Sequence, residues 1–169
     1  MSGIVLILLT GVGLGALYFL VASGLSLIYG LMHVLNFAHG AFYMIGAYLA
    51  ASLVAHLGDL FLGLLIGIPL AFALGLVVEW LFIRHLYGRD HLQQVLLTFA
   101  LILVLNEVQQ IVWGTKPLSI ATPGWLAGSV QLTETLSYPL YRIALMVICL
   151  ALALVMMLLI SRTQAGRLV

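Results

Sequence analysis

The sequence predicts an all-α polytopic membrane protein with about five transmembrane helices, and three observations support this fold class. Of its 169 residues, 64% are hydrophobic and only 7% are charged, whereas soluble proteins carry about 25% charged residues. The first 58 residues contain no Asp, Glu, Lys or Arg. Apolar runs of about 20 residues, the length that a helix needs to cross a bilayer, recur along the chain. Lipid is therefore the expected solvent for most of the protein.

Five apolar runs predict the membrane-spanning helices. They lie near residues 4–29, 34–56, 60–83, 92–113 and 138–160. The separating segments are a short turn at 57–59, a polar loop at 85–91, and a longer segment from Gly114 to Ser137 that contains prolines and glycines. A membrane β-barrel is disfavoured because its strands would alternate in segments of about 10 residues. The first basic residue is Arg84, so a cleaved signal peptide, which begins with a positive region, is not expected.

The basic residues near the predicted helix ends indicate an orientation. One side of the membrane receives Arg84, Arg89, Arg162 and Arg167, and the other receives Lys116 and Arg142. Because cytoplasmic segments carry an excess of Lys and Arg, the first side is expected to be cytoplasmic. The N-terminus and the segment 114–137 would then lie outside.

Small residues in the third predicted helix indicate a packing face. Gly63, Gly67, Ala71 and Gly75 recur every four residues. This spacing places them on one side of a helix, where a neighbouring backbone can approach closely. Gly11 and Gly15 repeat the spacing once in the first helix. Pro69 removes a backbone hydrogen-bond donor inside the third helix, so a kink is expected there.

The segment between the first two helices predicts an interruption, namely a discontinuous or re-entrant segment near residues 30–40. It lacks charges and prolines, yet it contains Asn36, His39 and Gly40. Non-helical backbone at membrane depth is tolerated only where protein buries it or water lines it, and such segments often contact solutes. These three residues are therefore candidates for a solute pathway. In the alternative interpretation, Asn36 is a helix N-cap and His39 faces lipid headgroups.

A second polar candidate is Glu107, about fifteen residues into the fourth predicted helix. An ionisable group within a membrane span is costly and often functional. Because Glu107 is only about two turns from Trp113, it can instead pair or reach out at the interface. Glu79 and Arg84 are five residues apart, which is a poor spacing for an intrahelical pair, so each is expected to have a partner on another helix.

Several classes of function receive no support from the residues. The five histidines show no paired i, i+4 spacing for a metal or haem. No glycine-rich phosphate loop or nucleophile constellation is visible, so we expect no cofactor and no enzymatic activity in this chain. Cys149 is expected to be a packing residue. A net charge of +1 without a basic cluster argues against nucleic acid as a partner.

One phrase carries a specific resemblance to a known family. Asn36-Phe37-Ala38-His39-Gly40, followed by Tyr43-Met44-Ile45-Gly46-Ala47-Tyr48, resembles the branched-chain amino acid ABC transporter permeases of the LivH type. Weaker matches follow in the family's order: Glu79 with 84–88, Leu97-Thr98-Phe99-Ala100, and 162–167. His85 and Phe99 depart from the residues that relatives often carry.

The resemblance implies a permease subunit of an ATP-driven importer in a bacterial or archaeal inner membrane. Its implied partners are two ATP-binding subunits, a second permease subunit and a periplasmic solute-binding protein. Phe37 and Tyr43 would join the solute pathway, and Arg162, Gly166 and Arg167 would lie where an ATPase docks. Family members continue past the segment that corresponds to residues 162–167 into further membrane spans. The chain is therefore expected to be a single permease domain that is truncated before those spans.

Two other classes of function stay open from the residues. A membrane-embedded redox or cofactor-binding subunit would use the histidines and show a visible absorbance band. A structural membrane subunit without transport would use its polar residues only for packing. Within the permease interpretation the solute is not fixed, because relatives of this kind handle branched-chain amino acids, urea and short amides.

Overall fold

The computed structural model describes residues 2–133 and 136–162, and five α-helices dominate this part of the chain. They are α1 Ser2–Met32, α2 His39–Leu57, α3 Leu60–Leu81, α4 His91–Trp113 and α5 Leu140–Arg162, with a short 3₁₀ helix at Ile83–Leu86 and two strands, β1 Ser129–Thr133 and β2 Leu136–Pro139. All five helices are long and apolar enough to cross a membrane. The predicted fold class is therefore confirmed.

The chain forms two compact units. The central unit comprises residues 32–121 and contains α2, α3 and α4. The terminal unit comprises the described residues among 1–31 and 122–169, and it contains nearly all of α1, the two strands and α5.

In the central unit, α2 and α3 form a tight antiparallel hairpin. Gly58 ends α2 with φ 70°, and its N–H donates to the Val54 carbonyl at 2.9 Å. This left-handed conformation favours glycine because a Cβ would be strained there. Asp59 then caps α3, since its Oδ1 accepts from the Leu62 N–H at 2.8 Å. The predicted turn at 57–59 is thus built from one C-terminal and one N-terminal cap.

The core of the central unit lies where α4 packs against α2 and the segment before it. The buried side of α4 recurs every three or four residues, at Gln94, Thr98, Leu101, Leu105 and Gln109. Leu101 packs with Val34 and Ala38, and Leu105 packs with Ala41 and Ile45. The helical period therefore places one side of α4 against α2 along most of its length.

A polar contact also joins α4 to α2 near the C-terminal end of α4. The Trp113 Nε1–H donates to Ser52 Oγ at 2.5 Å. The ring of Trp113 lies 5.5 Å from that of Tyr48, centroid to centroid. Gln109 Nε2 donates to the Gly114 carbonyl at 3.0 Å and so satisfies the end of the helix.

In the terminal unit, α1 and α5 run parallel. Thr10 contacts Arg142, and one turn further along both helices Gly13 meets Met146, whose Cγ lies 3.4 Å from the position of an added Cβ. Nothing lies within 4 Å of such a Cβ at Gly11 or Gly15, so these two glycines make no close helix contact within the described residues and their packing role stays a prediction. The first and fifth of five successive membrane spans cross the bilayer in the same direction, so a parallel arrangement of α1 and α5 is expected.

The strands β1 and β2 form an antiparallel hairpin that was not predicted from the sequence. Its register pairs Ser129 with Pro139 and Val130 with Tyr138. The Leu140 N–H donates to the Gly128 carbonyl at 2.9 Å, so the hairpin passes directly into α5. The helix predicted from residue 138 consequently begins at residue 140.

Candidate functional site

The interruption predicted near residues 30–40 is present over residues 33–38. Helix α1 ends at Met32, and His33 adopts φ 54°, a left-handed conformation in which histidine is several-fold enriched among non-glycine residues. Helix α2 begins only at His39, five residues later than the predicted start at 34. The residues between are mostly apolar, so their non-helical course has to be explained by their partners.

Asn36 fixes the turn that leads into α2. Its buried side-chain Oδ1 accepts from the Ala38 N–H at 3.1 Å, and its carbonyl accepts from the His39 N–H at 3.3 Å. This is an Asx-turn, in which a side chain satisfies a backbone amide two residues ahead. The N-cap position belongs to Ala38, which has no side-chain cap bond. Asn36 therefore stabilises the start of α2 from two residues before its cap.

Gln94 holds the same segment from α4 and was not among the predicted site residues. Its Oε1 accepts from the Leu35 N–H at 3.0 Å, and its Nε2 donates to the Arg89 carbonyl at 3.1 Å. Gln94 is only 3% exposed. Below it, the fully buried Thr98 Oγ1 donates to the Gln94 carbonyl at 2.8 Å. We refer to Asn36, Gln94 and Thr98 as the amide clamp. Asn36 and Gln94 accept from backbone N–H groups of residues 33–38, and Thr98 donates to the Gln94 carbonyl.

The remaining pathway candidates at this site lie beside the amide clamp. Phe37 and Tyr43 are 53% and 58% exposed, and Gly40 is also exposed with nothing within 4 Å of an added Cβ. His39, the first residue of α2, is partly buried. Gly40 and Tyr43 are three residues apart at the start of α2, so they share one side of the helix there. Phe37, Gly40 and Tyr43 thus lie exposed around the start of α2.

Glu107 does not join this group. It is exposed and lies two residues from each of the buried Leu105 and Gln109, which places it on the opposite side of α4. That side points away from the α2 residues of the central unit. The chemistry available to Glu107 is therefore separate from that of residues 36–43.

The loop between α3 and α4 places its charged residues in local contacts. The Tyr87 hydroxyl donates to Glu79 Oε1 at 2.8 Å. Burial, together with this hydrogen bond and the charge of Glu79, raises the pKa of Tyr87 from 10.0 to about 12. The Arg84 guanidinium lies 5.5 Å from the ring centroid of Trp80. The expectation of partners on other helices is wrong here, because these contacts span at most eight residues.

The small residues of α3 lie along α2 over three of their four positions. An added Cβ at Gly63 would be 2.9 Å from the backbone N and Cα of Val54, and one at Gly67 would be 3.3 Å from the Ala50 Cα. The Ala71 Cβ lies 3.7 Å from the position of an added Cβ at Gly46. At Gly75 an added Cβ meets nothing within 4 Å. The close approach of α2 and α3 therefore ends before Gly75.

The predicted ATPase-coupling residues are only partly within the described structure. Arg162 is the last residue of α5 and is exposed. Gly166 and Arg167 lie outside the described residues. Within residues 2–133 and 136–162, no group of three His, Cys, Asp or Glu could hold a metal ion. Cys149 is buried.

Five long apolar helices, the first two joined by a non-helical segment, define an α-helical, multi-pass membrane protein. Residues 7–169 match the family described as the permease component of the branched-chain amino acid transport system, so the chain belongs to this family. No solved structure matches the chain significantly.

Curated relatives agree with this assignment. The chain is 27% identical to the high-affinity branched-chain amino acid transport system permease protein LivH of Salmonella typhimurium, over 72% of this chain and 43% of the relative. It is 28% identical to the corresponding protein BraD of Pseudomonas aeruginosa, over 95% of this chain and 56% of the relative. A stretch of 47 residues is 47% identical to LivH of Escherichia coli K12. The chain therefore spans about half the length of the first two relatives.

Proposed function

We propose that this chain forms part of the transmembrane permease subunit of an ATP-driven importer for branched-chain or related amino acids. The importer would lie in a bacterial or archaeal inner membrane and pass its solute by alternating access. ATP would be hydrolysed on two separate subunits, a second permease would complete the pathway, and a periplasmic binding protein would deliver the solute. The permease would extend beyond this chain, as the lengths of the relatives suggest.

The observation that carries this proposal is the amide clamp beside the exposed start of α2. Its hydrogen bonds hold residues 35–38 in one conformation, while the adjacent side chains of Phe37 and Tyr43 remain uncovered. A rigid, neutral surface suits a solute that must be released, because tight binding in both access states would shift no equilibrium. The family match and the names of the relatives support the same function.

Purification from the native locus tests the assembly. The tagged protein, extracted in mild detergent, is expected to bring down two ATPase subunits and a second permease, and its intact mass is expected to exceed 18.3 kDa. Recovery of the short bait alone would contradict the proposed importer. A visible absorbance band in the purified complex would favour the redox or cofactor-binding alternative.

Substitutions at the start of α2 and just before it test the pathway. Asn36→Ala is expected to lower ATP-dependent uptake of radiolabelled leucine into proteoliposomes by about fivefold, because loss of its buried hydrogen bond to the Ala38 N–H costs about 1 kcal/mol. His39→Ala is expected to lower this uptake as well. Assembly with the partner subunits should persist. Gln93→Ala, which removes an exposed amide nearby, serves as the matched control. Uptake at the wild-type rate in both variants would remove these residues from the pathway.

A further inference from the structure

The terminal unit contains a cleft between α1 and the first two turns of α5. Its volume is about 230 Å³. Most of its wall is apolar and comes from Leu14, Leu17, Leu145 and Met146, while Thr10 and Arg142 bring polar atoms to it. Because Arg142 contacts Thr10 and Met146 packs one turn further along, the polar and apolar parts follow one another along the helices.

Arg142 has only neutral neighbours in the contacts that the structure gives it. Its Nη1 donates to Thr10 Oγ1 at 3.5 Å, and its Nε donates to the Tyr141 hydroxyl at 3.1 Å. The rings of Tyr138 and Tyr141 lie 6.0 and 5.9 Å from its guanidinium carbon. A guanidinium has five N–H donors, and Thr10, Tyr141 and Tyr138 engage three of them, so within the described residues two remain available to a ligand. Two N–H donors are the number that a bidentate pair with a carboxylate or phosphate needs.

The position of Arg142 adds a second reason for an anion. It is the third residue of α5, where the helix dipole is positive and a cation is disfavoured. An oxyanion in the cleft would relieve this unfavourable interaction of Arg142 with the helix dipole.

We propose that this cleft binds the oxyanion of an aliphatic ligand. Arg142 and Thr10 would hold the carboxylate or phosphate, and the leucines one turn further along would cover the aliphatic part. The volume is below the roughly 300–1,000 Å³ of pockets for drug-sized ligands, which suits a group of a few carbon atoms. The ligand is either a branched-chain amino acid, an option that rests on the proposed function, or the headgroup and first methylenes of an anionic lipid.

The test uses the complete permease–ATPase complex, purified without its binding protein. Equilibrium dialysis with radiolabelled leucine measures the amino-acid option, with leucinamide as a competitor that lacks the carboxylate. Native mass spectrometry after incubation with phosphatidylglycerol measures the lipid option. Arg142→Gln removes the charge, Arg142→Lys restores it, and Thr10→Val removes the hydroxyl at nearly constant shape. Lys116→Gln, a cation on the same expected side but outside the cleft, is the control.

Arg142→Gln is expected to weaken binding of one of the two ligands at least about tenfold, because the ligand loses its charge-assisted hydrogen bonds to the guanidinium. Arg142→Lys should recover part of the loss, leucinamide should compete poorly, and Lys116→Gln should bind like the wild type. Equal binding by wild type and Arg142→Gln, or no binding of either ligand by the wild type, would overturn the proposal. If Arg142→Gln does not assemble, Thr10→Val and the leucinamide competition on the wild type decide.

The two proposals can fail separately. Arg142-dependent lipid binding in a complex that takes up no leucine would support the cleft and contradict the transport function. Normal leucine uptake together with ligand binding that is indifferent to Arg142 would contradict the cleft and leave the importer standing.

Discussion

Gln94 illustrates how one buried amide can determine the conformation of a distant segment. Its side chain supplies an acceptor to the Leu35 N–H, 59 residues earlier in the chain. Without that acceptor, the Leu35 N–H would lack a partner beside an apolar core, which costs about 1–3 kcal/mol. The interruption before α2 is therefore maintained by α4 as well as by its own sequence.

Replacing Gln94 by Ala should lower the free energy of unfolding by about 1–3 kcal/mol, because the Leu35 N–H and the Arg89 carbonyl both lose a buried partner. The measurement is the thermal unfolding midpoint of the permease in detergent, followed by the fluorescence of its tryptophans. Gln93→Ala, one residue away and exposed, should stay within about 0.5 kcal/mol of the wild type. Equal midpoints for the two variants would show that the clamp adds no stability.

Tyr87 gives the loop between α3 and α4 a stability that depends on pH. Its pKa is raised from 10.0 to about 12, first by burial and then by Glu79, so the folded state favours the protonated phenol. This contribution is fully present below pH 10 and is lost as the pH rises through 12. Ultraviolet titration of tyrosinate should show one late ionisation that Tyr87→Phe removes and that Glu79→Gln shifts to lower pH. A wild-type curve identical to that of Tyr87→Phe would contradict the assignment.

The residues of the amide clamp could be predicted only in part. Gln94, Thr98 and Leu101 follow the helical period, so the sequence can place them on one side of α4. It cannot show that Leu35 is the partner of Gln94, because a contact between distant segments leaves no local pattern. The same period places Glu107 on the side of α4 opposite Leu105 and Gln109. Because Leu105 and Gln109 are buried, Glu107 lies on the exposed side.

At the level of elements, the α2–α3 hairpin depends on how closely two backbones approach. Gly63→Ala should destabilise the permease by about 1–3 kcal/mol, since the new Cβ would lie 2.9 Å from the backbone of Val54. Gly75→Ala, on the same helix with open space around it, should be neutral or up to about 1 kcal/mol stabilising through helix propensity. Unfolding midpoints of the two variants test the pair. A larger loss at Gly75 than at Gly63 would mean that α3 packs through its other end.

The lengths of the apolar runs predicted the helices well, and the errors have physical causes. Helix α2 starts at His39 rather than at 34 because side chains of Asn36 and Gln94 take up the backbone amides that a helix would have used. The β1–β2 hairpin was not predicted, because the prolines and glycines before it indicated a loop. Its first strand nevertheless alternates Ser129, Val130 and Gln131, which is the period of a strand.

At the level of the whole molecule, the basic residues predict an orientation that labelling can test. In Lys116→Cys, a membrane-impermeant maleimide should react in intact cells, and in Arg89→Cys it should react only after permeabilisation, because Arg84 and Arg89 are expected in the cytoplasm. The native Cys149 is 4% exposed and should give little background, which unsubstituted protein verifies. The reverse pattern would invert the orientation, and labelling of both variants in intact cells would contradict five membrane crossings.

Trp113 makes the contact between α2 and α4 optically visible. Its indole N–H bonds to Ser52 and its ring lies beside Tyr48, whereas Trp80 and Trp125 are 61% and 60% exposed. With the other two tryptophans replaced by Phe, the emission of Trp113 would report the separation of the two helices. Any sliding of α2 along α4 in the proposed transport cycle would break this bond and change the surroundings of the indole. The protein thus contains a native spectroscopic probe of the contact between these two helices.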